Sequence, residues 1–279
     1  MVNLLIFFLI SAFIVVTWFR GEFIYGGAEV GLFGYNLERR LEISKYVWWG
    51  AAAPGQLIPQ FITGVPIYFC FYIFKLIGLS SQNIQQLFFF STIFLMGYGV
   101  YLLASSIFDD SSKKYSVISG FFYMFNVYTL VMVWHRFLYS TMVLAAALPF
   151  LILFWRKWVK DGKFFDLTIF LLINFLSVYM YGNLASVIAV WTALTLISLA
   201  EMFFPWQGKF NVWKLSGRFL AGFILWLLTN MWWIAPTFSI APGLLPEQHS
   251  SEDNLGTLVS ISRQTIMPYL LQLANPFYL

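Results

Sequence analysis

Polar residues fall on this chain in short clusters between long apolar runs. The runs cover residues 1–19, then Phe61 to Leu79, Ile84 to Phe108, Ser116 to Trp134, Leu138 to Trp155, Leu167 to Tyr181, Leu184 to Phe204 and Phe219 to Ile240. Crossing a hydrocarbon core takes about 20 apolar residues in a helix, and in lipid only helices and closed barrels satisfy their own backbone groups. Runs this long with no period-two alternation predict helices. Composition agrees, because 60% hydrophobic against 10% charged residues leaves too little polar surface to cover a water-soluble core. The expected fold is an all-α, polytopic integral membrane bundle, one transmembrane domain over 1–279.

Three connectors are basic: Lys113 with Lys114, then Arg156, Lys157, Lys160 and Lys163, then Lys209, Lys214 and Arg218. Basic connectors favour the cytoplasmic side. With a cytoplasmic N-terminus and every apolar run crossing, these three would lie outside, so one run has to stay on the outer face. Phe61 to Leu79 is the run least suited to a plain span: Pro54, Gly55 and Pro59 precede it, and Gly64, Pro66 and Lys75 lie within it. The expectation is a first span at 1–19, a large extracytoplasmic loop at 20–83 with amphipathic and juxtamembrane helices, six further spans over 84–240, and an extracytoplasmic tail at 241–279. This describes a multi-pass protein of the plasma (cytoplasmic) membrane with its N-terminus in the cytoplasm. The alternative topology has every run crossing. No basic n-region and no small-x-small site precede Arg20, so the first run reads as a retained anchor, with a cleaved signal as the alternative. The ending NPFYL, with no terminating charge cluster, reads as an interrupted protein with further spans or a soluble domain to follow.

The formal charge of +4 reflects topology, and nucleic acid is not an expected partner. Cys70 is the single cysteine, which excludes an intramolecular disulfide and a cysteine-based metal site. His135 and His249 have no metal-ligand spacing. Chemistry concentrates in the first loop. Glu22 and Glu29 lie in GEFIYGGAEVGLFG, among glycines at 21, 26, 27, 31 and 34 that permit turns and close approach of another molecule. A carboxylate at a membrane mouth can have a raised pKa and serve as a general base; the plain alternative is a solvated loop acid. From Asn36 the pattern NLERRLEISKYVWW reads as an amphipathic helix, capped by Asn36, with Leu37, Leu41 and Trp48 near helical period. Glu38, Glu42 and Lys45 are spaced to pair along its polar face. Farther on, Glu247, His249, Glu252 and Asp253 form a polar tail cluster that reads as a solvated loop, or as a source of a second acid or metal ligand facing the first loop.

A first span, an acid shortly after it in the first outer loop, juxtamembrane helices and a bundle of spans together resemble the C-type superfamily of membrane glycosyltransferases. The segments GGAEVGLFGYNLERRLEISKYVWW and GAAAPGQLIPQFITGVPIYF are most similar to its bacterial and archaeal arabinofuranosyltransferase-like members. In those an acid is followed by an aromatic-rich helix, a Trp, and a Gly-Gln-x-x-P-like turn into a helix. The matching positions are Glu29, Trp48 and Trp49, then Gly55 and Gln56, with Pro59 and Pro66 near the turn. The resemblance covers about the first 110 residues, and the rest only as a span pattern. It departs in carrying Glu where Asp is frequent, and there is no Asp-x-Asp motif, so the cofactor stays open, a divalent cation included, with no clear metal motif.

This resemblance implies transfer of a sugar from a polyprenyl-phosphate-linked donor to an envelope glycan, lipid or protein acceptor on the extracytoplasmic face. Glu29 is then the expected base, with Glu22 second. Arg39, Arg40 and Arg136 would hold the leaving phosphate, Trp48 and Trp49 would stack on sugar, and Gln56 and His135 would line the same mouth. Membrane lipids are the remaining expected partners. For the arginines the plain alternative is interfacial pairing, and for the aromatics a headgroup belt. Two other classes stay open. A transporter or flippase for lipid-linked glycans would carry ionisable groups or broken helices near the bilayer middle, whereas the spans hold Asn126, Asn174 and Asn230 as isolated amides. A non-catalytic membrane assembly subunit is the other.

Overall fold

The fold was described from a computed structural model, which covers residues 2–21, 24, 26–27, 31–32, 36–46, 48–49, 56–57, 59–108, 113–131, 138–182, 184–203 and 212–244. Helix α1 (Val2–Trp18) is followed by two short antiparallel pairings, β1 (Gly26–Gly27) with β2 (Gly31–Leu32) and β3 (Trp48–Trp49) with β4 (Gln56–Leu57). Between them lies α2 (Leu37–Ser44), and after them a 3-10 turn (Pro59–Gly64) runs into α3 (Val65–Leu76). Next come α4 (Ser81–Ile107), α5 (Lys113–Phe125), α6 (Tyr139–Asp161), α7 (Phe164–Leu176), a second 3-10 turn (Val178–Gly182), α8 (Leu184–Phe203) and α9 (Val212–Leu244). The architecture is an all-α bundle. The chain forms two compact units, Met1–Ile234 and Ala235–Leu279, and in the second the described residues are helical.

Four helical stretches are long and apolar enough to cross a membrane: Ser81–Ile107, Tyr139–Asp161, Ala185–Phe203 and Val212–Phe238. Four shorter apolar helices, Val2–Trp18, Phe61–Leu76, Tyr115–Phe125 and Phe164–Leu176, accompany them. Where the apolar pattern suggests seven full spans, several are therefore short or interrupted. The run from Ser116 breaks after Phe125, where Asn126 donates to the Tyr123 carbonyl and accepts from the Thr129 amide. Its amide takes over groups that a continuous helix would pair internally. The run from Leu167 stops at Ser177, whose hydroxyl donates to the Ile173 carbonyl, and continues as the 3-10 turn.

Cross-helix contacts fix the directions. Asn3 donates to the Tyr101 hydroxyl at 3.0 Å, and at the other end of α1 the Trp18 ring meets Phe89, so α1 and α4 are antiparallel. Gln82 Nε2 donates to the Gly21 carbonyl at 2.6 Å. Gly21, just after α1, and the start of α4 therefore lie at the same end of the bundle. Helices α4 and α6 start together, through Gln85 and Tyr139, and finish together, where Arg156 donates to the Ser106 carbonyl.

Close packing needs small residues where backbones approach. A Cβ on Gly120 would meet the Gly97 carbonyl and the Phe7 ring, which sets how tightly α4 and α5 fit. Pro149 inside α6 has no N–H for the carbonyl one turn earlier, and the Tyr123 hydroxyl of α5 donates to that carbonyl, Ala145, at 3.0 Å.

The basic segments are helical where the charge pattern suggests connectors. α6 continues through Arg156, Lys157 and Lys160 to Gly162, whose φ of 71° supplies the left-handed cap, and α9 begins at Val212, ahead of Lys214 and Arg218. No proline or glycine lies between Arg156 and Gly162, and lysine stems can run along the apolar surface while their charges reach water. At this end Arg156 pairs with Glu201 of α8, both nearly buried at 12% and 8% side-chain exposure. Arg218 of α9 donates to the Val159 and Lys160 carbonyls, which are among the last, unpaired acceptors of α6. The ends of α4, α6 and α8 and the start of α9 are thereby tied into one basic end.

Candidate functional site at the opposite end

The opposite end is covered by α2, the 3-10 turn at 59–64 and α3. Asn36 caps α2 by accepting from the Arg39 amide at 2.9 Å, as its sequence suggests. Leu37 and Leu41 are buried beneath the helix. The helix ends at Ser44, so Trp48 belongs to the β3–β4 pairing and not to the helical face; Val47, Trp48 and Trp49 are residues that favour strands. Polar-face pairing also differs from the expected pattern. Glu42 pairs back to Arg39 at 2.8 Å and Glu38 reaches across to Lys75 of α3 at 3.4 Å. Both pairs are exposed and contribute little to stability.

Arg40 lies on the same helix with its guanidinium 5.8 Å from the centre of the Tyr68 ring, a cation–π distance. Tyr68, buried on α3, donates to the Tyr179 hydroxyl of the second 3-10 turn at 3.2 Å, and the charge of Arg40 reaches that hydroxyl electrostatically. Beside them Gln85 donates to the Tyr139 hydroxyl at 2.7 Å, and Tyr139 packs edge-on against Phe88. Four elements far apart in sequence thus bring one guanidinium and three phenols together. Two hydroxyls sharing one hydrogen bond retain a proton to donate, so the cluster combines a fixed positive charge with neutral donors on an apolar bed. Such a set suits an anionic oxygen.

A second polar group lies deeper. Asn174 donates to the Tyr181 hydroxyl at 2.7 Å and accepts from the Trp226 indole at 2.9 Å. Asn230 donates to the Trp226 carbonyl and accepts from the Trp233 indole, both at 2.8 Å. The two asparagines, which look isolated along the sequence, are joined through Trp226, and Tyr181 stacks on Trp233 to close the group.

The expected site residues divide unevenly. Arg39 and Arg40 sit on α2, Arg39 facing Glu42 and Arg40 facing the tyrosines. The backbones of Trp49 and Gln56 pair directly, as do those of Trp48 and Leu57, so residues singled out separately share adjacent rungs of one ladder. Glu29 falls in the connection between Gly27 and Gly31, themselves paired, and lies outside the described residues. So do Glu22, His135, Arg136 and the tail group Glu247, His249, Glu252 and Asp253. Among the described residues no three His, Cys, Asp or Glu side chains come together to hold a metal. Cys70 is half-buried on α3, and burial pushes its thiol up. Tyr68, Tyr139, Tyr179 and Gln85 were not singled out from sequence; for the last three the one signal is a hydroxyl or amide near the end of an apolar run, which an aromatic belt explains equally well, and Tyr68 lies inside its run with no signal. Compared with known proteins, the chain matches no family model, no curated protein and no solved structure.

Proposed function

We propose that this chain is a membrane glycosyltransferase of the C-type superfamily, using a polyprenyl-phosphate-linked sugar and an envelope glycan, lipid or protein acceptor, and working at the end opposite the basic helix ends. In this reading that end is extracytoplasmic, because basic segments favour the cytoplasm. One observation carries the reading: α2, the first 3-10 turn and α3 cover one end of the bundle and set Arg40 over the ring of Tyr68, whose hydroxyl bonds that of Tyr179. The acceptor hydroxyl attacks the anomeric carbon, a new glycosidic C–O bond forms as the bond to the phosphate oxygen breaks, and Glu29 takes the acceptor proton. Arg40 and the phenols steady the charge growing on the departing polyprenyl phosphate. Glu29 precedes Asn36 by seven positions, so the base lies within at most about 25 Å of the α2 cap. Replacing Glu29 with Gln and assaying sugar transfer in membranes tests the assignment: transfer should fall by about 100-fold or more at equal protein level, and undiminished transfer would remove Glu29 from the mechanism.

One observation favours a second reading. Helices interrupted at polar side chains, as at Asn126 and Ser177, with a buried amide such as Asn174 nearby, are features of transporters, here a flippase for lipid-linked glycans. Movement of a fluorescent lipid-linked oligosaccharide across reconstituted liposomes, unaffected by Glu29→Gln, would favour it over transfer.

A further inference from the structure

The basic end carries a surface that the proposed transfer reaction does not use. At the turn between α6 and α7, exposed Lys163 is followed by Phe164 and Phe165, which are 68% and 71% exposed. At the start of α9, exposed Lys214 follows Trp213, which is 87% exposed. The two elements are held side by side, because Arg218, one turn beyond Lys214, donates to the Val159 and Lys160 carbonyls at 2.9 and 2.5 Å, and Trp158 Nε1 donates to the Arg218 carbonyl at 2.9 Å. Gly162, at a positive φ of 71°, lies directly against the Arg218 guanidinium, which a Cβ there would displace.

The charges around this seam are unequal. Lys157, Lys160, Lys163, Lys214 and Arg218 lie on it or within a turn of it. Among the described residues the acids within a turn of it are Asp161, which is exposed, and Asp166, which is buried in the first turn of α7; Glu201 pairs with Arg156. Lysines beside exposed aromatic rings on both flanks match a bilayer interface, where rings sit at headgroup depth and ammonium groups meet phosphate.

We infer that the seam between the α6–α7 turn and the first turns of α9 binds an anionic phospholipid of the surrounding leaflet, its phosphate between Lys163 and Lys214 and its chains along Phe164, Phe165 and Trp213. Zwitterionic lipid carries no net charge for this excess to attract, and a water-soluble phosphate cannot use the rings, so both should bind poorly. Attraction of this kind falls as salt rises.

Native mass spectrometry of the full chain in detergent tests it, with phosphatidylglycerol, phosphatidylcholine and sn-glycerol 3-phosphate added in turn. Phosphatidylglycerol alone should be retained, and Lys163→Gln with Lys214→Gln should weaken that retention roughly thirtyfold, from about 1 kcal/mol per cation near the surface. Trp213→Ala should weaken it while leaving every charge in place. Equal retention of phosphatidylcholine, or phosphatidylglycerol retention unchanged in the double variant, would overturn the inference. Retention of glycerol phosphate at the same strength would also overturn it, by making the site one for a soluble phosphate. Should the double variant not fold, salt titration of the unmodified chain decides: retention that does not weaken between low and high salt contradicts an electrostatic site.

Discussion

The two ends of the bundle are held by different chemistry. At the basic end a nearly buried ion pair and a part-buried arginine on carbonyl oxygens help tie four helices, so full charges hold this end together. At the other end the ties are phenol to phenol, amide to phenol and a guanidinium over a ring. A buried charge that loses its partner is costly, about 3–5 kcal/mol, whereas a neutral hydrogen bond contributes about 1 kcal/mol net. One end is thus a clamp, and the other can exchange its hydrogen bonds for those of a ligand at small cost. A site that must admit and release a substrate fits the second kind of end.

The largest effect should come from the clamp. Glu201→Ala leaves Arg156 without its carboxylate, and thermal unfolding in detergent should report a loss of about 3–5 kcal/mol; a loss below about 1 kcal/mol would mean that the two ends do not differ as described. Asn174→Ala takes away the partners of the Trp226 indole and the Tyr181 hydroxyl, with an expected cost of about 2 kcal/mol and a shift in tryptophan emission. Tyr68→Phe, at the adjustable end, should cost about 1 kcal/mol or less while lowering sugar transfer several-fold, a separation of stability from activity that no residue of the clamp should show. The smallest effect concerns Cys70. With its thiol pushed up by burial, thiolate is scarce near neutral pH, so maleimide labelling of the folded chain should lag the unfolded chain and gain on it as pH rises.

What could be read from the sequence follows the range of the interactions. The Asn36 cap depends on a contact three residues away, and the apolar runs on composition alone, so both were legible. The ends of α6 and α9 were misjudged because a charged segment looks like a connector until its lysines are seen to lie along a continuing helix. The Tyr68–Tyr179 contact spans 111 positions and the Trp226–Asn174 contact 52. No local pattern marks such pairs, and an asparagine in an apolar run looks alone until packing brings an indole to it.

Sugar transfer by an Arg40→Ala variant of the full chain, from a polyprenyl-phosphate donor in membranes at matched protein level, tests the division between the two ends most directly. The expected result is a loss of at least about tenfold, from one charged hydrogen bond to the leaving phosphate, with a thermal midpoint little changed. Transfer at the unmodified rate would contradict the assignment of that end as the working one.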